Sequence, residues 1–233
     1  AVEAKADAVK FQTFTAQRLA SRGAPKARYQ LQTTSPQESQ LEMLRRLELS
    51  EPAHRQLVSH ARSRGILFLS SPFDEASVDL LASLEVPAFK LASGELTNLP
   101  LLRHAARYGK PLIVSTGMST LDEVETALRA IQEEGARQVV LLHCVSRYPA
   151  DPAEANLRAM HTMRDRFEVP VGFSDHTTGM EVALAAVALG ACLIEKHFTW
   201  DRSLPGPDHQ ASLEPAQLRA LVAGVRTVEA ALG

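Results

Sequence analysis

Two histidines each stand two residues after another polar side chain in short runs, Ser174-Asp175-His176 and Glu195-Lys196-His197. In an extended strand, residues i and i+2 point to the same face. If the two runs are neighbouring strands, two imidazoles, a hydroxyl and a carboxylate converge on one point. Two imidazoles with open positions suit a catalytic divalent cation (Mn²⁺, Zn²⁺, Fe²⁺ or Co²⁺) whose shell is completed by water and substrate oxygens. A pair of ligands is too few for a closed structural zinc site. Glu195 is a candidate general acid or base beside that cation.

Two lysines extend the set. Lys10 shares a strand face with Gln12 in Val9-Lys10-Phe11-Gln12, and Lys90 interrupts the apolar run Ala88-Phe89-Lys90-Leu91-Ala92. A lysine inside a sheet is costly unless it meets an anion, so the pair points to a phosphate or carboxylate ligand. Ser71, Ser93, Ser115 and Ser174 place hydroxyls at successive strand ends, two of them close to Gly94 and Gly117. Small residues there let backbone N–H groups approach an anion. Any one serine could simply cap the following helix; the recurrence at four strand ends beside two lysines favours anion binding. Glu95 and Glu195 have the alternative role of structural partners to the lysines. The segment Leu204-Pro205-Gly206-Pro207-Asp208-His209 reads as a rigid loop able to close over the site, with Asp208 either a sugar-hydroxyl ligand or a turn cap. His54, His60, His104 and His161 fall in helical stretches and carry no second signal.

The elements that must position these residues alternate regularly. Strand candidates are 8–14, 66–73, 88–95, 111–117, 139–145, 171–176 and 192–199. Several are continuous apolar runs, as expected for parallel strands buried on both faces. Amphipathic helix candidates lie at 50–64, 74–84, 98–108, 120–134, 152–165, 180–189 and 215–231. Thr120 with Glu123 is a capping-box pattern, and Gly65, Gly109, Gly135 and Gly190 stand where helices should stop. Residues 15–49 form a long excursion with a short helix near 38–47, and residues 1–6 read as helix-like. The alternation predicts an α/β fold, a (β/α)8 TIM barrel with its active site at the C-terminal strand ends, here without its first strand and forming one domain over 1–233.

Composition narrows the function classes. The 233 residues carry a net charge of −2, which gives no bulk attraction to nucleic acid or an anionic membrane. No apolar run approaches a membrane span of about 20 residues. Cys144 and Cys192 sit in strand-like runs and read as buried thiols of a reducing, cytoplasmic compartment.

Taken in order, these motifs resemble the sialic acid synthase family (N-acylneuraminate synthases with their legionaminic and pseudaminic relatives). The matching segments are Ala6-Asp7-Ala8-Val9-Lys10-Phe11-Gln12, Ser70-Ser71-Pro72-Phe73, Lys90-Leu91-Ala92-Ser93-Gly94-Glu95, Ser115-Thr116-Gly117-Met118 and His143-Cys144-Val145-Ser146 with Tyr148-Pro149. They continue through Ser174-Asp175-His176-Thr177, Glu195-Lys196-His197-Phe198-Thr199 and Gly206-Pro207-Asp208-His209. Each motif alone is weak; the ordered set spans the chain.

The resemblance implies condensation of phosphoenolpyruvate with an open-chain N-acyl-mannosamine-type aldose, giving a nine-carbon 2-keto acid and phosphate. By position, His176 and His197 would hold a divalent metal, usually Mn²⁺. Lys10, Lys90, Ser71, Ser93, Ser115, Ser146 and Ser174 would bind phosphoenolpyruvate, with Lys90 also counted among the catalytic groups. Gln12, Tyr148, Glu195 and Asp208 would line the acceptor pocket, and Glu95 and Glu195 would stabilise charge or move protons. The family's first strand and its C-terminal antifreeze-like domain, through which full-length members form homodimers, have no counterpart in the sequence. Two alternatives stand beside the synthase: a Schiff-base aldolase using Lys90 or Lys10 as nucleophile, and an incomplete fragment that binds ligand without turnover.

Overall fold

The computed structural model describes residues 1–35 and 37–233. Among them the strands are β1 (Ala8–Thr13), β2 (Leu67–Pro72), β3 (Phe89–Leu91), β4 (Leu112–Ser115), β5 (Val139–Cys144), β6 (Val171–Asp175) and β7 (Ile194–Lys196). Every predicted strand forms, mostly shorter than its apolar run. All pair in parallel, β1 with β2, and β3 through β7 in chain order. The helices are α1 (Ala16–Leu19), α2 (Arg28–Thr33), α3 (Gln40–Leu47), α4 (Glu51–Ser63), α5 (Glu75–Ser83), α6 (Leu99–Ala106), α7 (Leu121–Glu133), α8 (Ala159–Phe167), α9 (Glu181–Ala188) and α10 (Pro215–Leu232). No helix among the described residues is long and apolar enough to cross a membrane.

Strand periodicity sorts the side chains into two layers. On the outward face Phe68, Phe89, Leu91, Leu112, Val114, Leu141, Val171 and Phe173 are buried beneath the helices. Each such large side chain contributes about 1.5–3 kcal/mol by leaving water. On the inward face Ala88, Ile113 and Leu142 pack with Leu69, Val140 and Leu193 into a separate apolar plug. Gly172 belongs to this inner layer, where a Cβ would lie 2.3 Å from the Leu193 carbonyl oxygen. Two residues further along the strands, the same inward face turns polar.

The local signals explain the element ends. Thr120 accepts from the Glu123 N–H at 3.3 Å while Glu123 Oε2 accepts from the Thr120 N–H at 2.7 Å, completing the predicted capping box. Three expectations need correction. The helix at 152–165 begins only at Ala159, because Asp151 caps a separate 3₁₀ turn at Pro152–Glu154 and Asn156 turns to φ 41°. Residues 1–6 are turns rather than helix, with Lys5 at φ 61°. Cys192 is exposed rather than buried: it precedes β7, an edge strand with nothing paired on its outer side.

The sheet itself is a parallel half-barrel arrangement in two pieces. No ladder joins β2 to β3 or β7 to β1 among the described residues. The chain enters β3 through Pro87, which has no N–H to donate to a neighbour. A closed eight-stranded barrel is therefore not what these residues form by themselves.

Candidate active site

The inward polar layer converges on Glu195. Its Oε2 lies 3.4 Å from Lys10 Nζ and its Oε1 lies 3.6 Å from Lys90 Nζ. Ser174 Oγ donates to Glu195 Oε1 at 2.8 Å. Burial works against ionisation of Glu195, but the two ammonium groups and the Ser174 hydroxyl outweigh it and hold the carboxyl well below the usual carboxylate range. Burial pushes the Lys90 ammonium down from its ordinary value, against the opposing pull of Glu195. Two ammonium groups share one carboxylate, an arrangement that an anionic ligand would complete. These groups line a cavity of about 1110 Å³ together with Gln12, His197 and Asp208.

His197 lines this cavity, and His176 is buried beside it. The His176 and His197 ring centroids are 5.4 Å apart at 75°. His176 Nδ1 lies 2.7 Å from the Val145 carbonyl oxygen, so that nitrogen carries the proton and Nε2 keeps its lone pair. Ser174 Oγ is 3.4 Å from that Nε2, as expected for residues two apart on one strand face. Burial comes first, then the neighbouring His176 ring and Lys10, in pushing His197 down to about 3; burial also lowers His176. Both rings are therefore neutral at physiological pH, the state in which imidazole binds a cation. Two neutral imidazoles could hold a divalent cation with the rest of its shell open; no cluster of three or more His, Cys, Asp or Glu that could hold a metal ion forms among the described residues.

The loop after β5 carries Tyr148 over the pair, with ring centroids 4.2 Å from His176 and 5.5 Å from His197. The Ala150 N–H donates to the His176 carbonyl at 2.8 Å and fixes that loop to the end of β6. After β7 the chain returns so that Asp208 Oδ2 lies 3.9 Å from His197 Nδ1. His209 Nδ1 lies 2.6 Å from Thr199 Oγ1, which anchors the turn.

The serines divide into two groups. Ser71 and Ser115 are buried with no hydrogen-bond partner for their hydroxyls among the described residues, so both remain able to bind a ligand. Neither caps a helix; Asp74, Asn98 and Thr120 do that work. Ser93 and Ser146 gather instead round Gly117, whose N–H donates to Ser93 Oγ at 3.0 Å. A Cβ on Gly117 would lie 2.4 Å from Ser146 Oγ and 2.8 Å from Cys144 Sγ, so the backbone approach needs glycine. Glu95 is held by Asn98 Nδ2 at 2.8 Å and makes no ion pair with either lysine among the described residues. Gln12 lines the cavity but is exposed.

A family model described as the NeuB family matches residues 1–233. The chain belongs to the NeuB family. It is 51% identical over 235 residues to an N,N'-diacetyllegionaminic acid synthase of Campylobacter jejuni, covering 100% of this chain and 70% of that protein. A Legionella pneumophila protein of the same name is 49% identical over 237 residues, covering 100% of this chain and 67% of that one. A crystal structure of N-acetylneuraminic acid (sialic acid) synthetase from Leptospira borgpetersenii, in complex with citrate, superposes with a TM-score of 0.90 at 34% identity, over 100% of this chain and 76% of that one. The NeuB-family chain is thus an enzyme of the sialic acid synthase type, as the motif order implied.

One residue of this NeuB-family site escaped the sequence reading. Tyr29, on α2, reaches Tyr148 with ring centroids 5.3 Å apart, and burial first, then the negative charge of Asp208, pushes its hydroxyl above the ordinary phenol range. No periodicity marks a single tyrosine on a six-residue helix.

Proposed function

We propose that this chain condenses phosphoenolpyruvate with an open-chain N-acyl-mannosamine-type aldose, and that the acceptor is a diacetamido sugar of the legionaminic type. The observation that carries the reading is the sharing of Glu195 by Lys10 and Lys90 beside the unpartnered hydroxyls of Ser71 and Ser115. That array suits a small dianion or trianion held inside the sheet. The acceptor preference rests on the two legionaminic relatives, each matched over the whole chain.

In this reading the lysines and serines hold the phosphate and carboxylate of phosphoenolpyruvate with C3 facing the sugar aldehyde. C3 bonds to the aldehyde carbon as the aldehyde π bond breaks and its oxygen takes up a proton to become a hydroxyl; water adds at the cationic C2 and loses a proton; the tetrahedral centre expels phosphate as the C2 hydroxyl gives up its proton and becomes the ketone. Glu195, kept ionised, stabilises the positive charge that develops at C2 and accepts a proton from the water. Glu95 is a second carboxylate for proton movement. A divalent cation on His176 and His197, Mn²⁺ by preference, would supply Lewis-acid polarisation of the aldehyde when bound. Tyr148 covers the two imidazoles and limits their access to water.

We further infer that residues 1–233 form one TIM-barrel catalytic domain, working in the cytoplasm as part of a homodimer. The free thiols of Cys144 and Cys192 support a reducing compartment. The test is phosphate release from phosphoenolpyruvate with and without N-acetylmannosamine or its 4-acetamido relatives, before and after chelation. Release that needs sugar, stops with chelator and returns with Mn²⁺ is expected. Release without sugar, or indifference to chelator in the folded protein, would overturn the reading. The depressed Lys90 ammonium favours a second reading, an amine nucleophile, which borohydride trapping with pyruvate would reveal as a covalent adduct.

A further inference from the structure

An aromatic ring from the excursion between β1 and α4, that of Tyr29, packs against Tyr148 above the two histidines, and the excursion is built to hold it there. The Ala16 N–H donates to the Glu48 carboxylate, closing the excursion at its base. Lys26, its side chain buried, donates to Thr34 Oγ1 at 2.9 Å and to the Ser35 carbonyl at 2.8 Å, and pairs with Glu38 Oε2 at 3.2 Å. These contacts bracket α2 from both sides. Within it, Gln30 is buried and its Oε1 accepts from the Ala27 N–H at 2.9 Å. Tyr29 is left with one direction to point, toward Tyr148.

From there an unbroken set of contacts runs to the histidines. Tyr29 backs Tyr148 at 5.3 Å, Tyr148 covers both imidazoles, and Asp208 stands 3.9 Å from His197. Asp208 Oδ1 is buried without a hydrogen-bond partner, so the carboxylate still has an acceptor to offer. The aromatic faces suit an acyl methyl group or the C–H edge of an open-chain sugar, and the free carboxylate oxygen suits a hydroxyl or amide N–H. The lysines and Glu195 lie on the inner strand faces, and no hydrogen bond or aromatic contact joins Tyr29 to them among the described residues.

We propose that Tyr29 is a positioning residue for the acceptor: its ring backs Tyr148, which covers both imidazoles, so the excursion sets affinity for the sugar and not for phosphoenolpyruvate. The inference rests on the synthase reading. Tyr29→Phe removes the hydroxyl and keeps the ring; Tyr29→Ala removes both. The KM for N-acetylmannosamine should stay within about twofold of the parent in the first, which keeps the ring, and rise roughly tenfold or more in the second, with the KM for phosphoenolpyruvate within about twofold of the parent in both. A purely structural role would instead lower kcat and disturb both KM values together. An unchanged sugar KM in Tyr29→Ala, or a parallel loss in both substrates, overturns the proposal. Calorimetric titration of N-acetylmannosamine and of phosphoenolpyruvate, each alone, gives a readout independent of turnover. Sugar binding lost in Tyr29→Ala while phosphoenolpyruvate binding persists supports the proposal. Sugar binding retained there refutes it, and a parent protein that binds neither ligand refutes the synthase reading and this inference with it.

Discussion

Glu195 is the residue on which the site turns. It is held ionised by two lysines and a serine, and it is the partner that makes burial of Lys90 tolerable. Glu195→Gln keeps the shape and removes the charge. It should lower turnover by about 10²–10⁴-fold, the range for a positioned acid or base. Stability should fall by about 1–3 kcal/mol, because a buried cation loses its charged partner. Steady-state rates and urea titration measure the two effects separately. The matched change Glu95→Gln compares the second carboxylate, which Asn98 holds away from the lysines; we expect a smaller loss of rate there and little change in urea midpoint. An equal loss at both positions would show that the ion-pair cluster does not single out Glu195.

At the scale of elements, a buried polar seam joins β1 and β2 to α4. Thr13 Oγ1 lies 2.8 Å from His54 Nε2 and 2.7 Å from Ser70 Oγ, and His54 Nδ1 lies 3.0 Å from the Ser50 carbonyl oxygen. His54 thus has a structural task, and Lys10 and Gln12 depend on it because they ride on the same strand. Thr13→Val is nearly isosteric but strips the hydroxyl from this seam. It should cost about 1–3 kcal/mol by leaving a buried ring nitrogen unpaired. Urea or thermal unfolding checks it, and an unaltered midpoint would show that Ser70 alone satisfies His54. A similar outward-facing device joins β6 and β7, where Lys196 Nζ meets Asp175 Oδ2 at 2.7 Å on the face opposite His176 and His197. Alternation along the strand therefore separates a structural ion pair from chemical groups one residue away.

For the whole molecule, the decisive feature is the unpaired space between β7 and β1. Val9, Phe11, Phe198, Trp200 and Leu218 line it or its entrance, and Trp200, the sole tryptophan of the sequence, is 78% exposed. Unpaired strand edges beside apolar surface invite association. The 233-residue protein should therefore show tryptophan emission typical of water, ready quenching by acrylamide, and light scattering that rises with concentration. A shielded tryptophan in a monodisperse monomer would mean that the space closes in solution.

The alternation of apolar and polar residues by itself determined which side chains share a face, and so the meeting of Ser174 with His176 and the polar inner layer of Lys10, Lys90 and Glu195. Helix caps and stops were equally legible, because capping is settled within four residues, as at Thr120 and Glu123. The order of motifs carried the family. What only the tertiary structure decided depends on contacts distant in sequence: that Tyr29 leaves the excursion to stand against Tyr148, that Asn98 draws Glu95 aside, and that the early half of a predicted helix at 152–165 breaks at Asn156. Sheet closure also lay beyond the sequence pattern, since a strand's periodicity specifies its faces but not its neighbours. Those neighbours are fixed by which edges find partners, and among the described residues four edges, those of β1, β2, β3 and β7, do not.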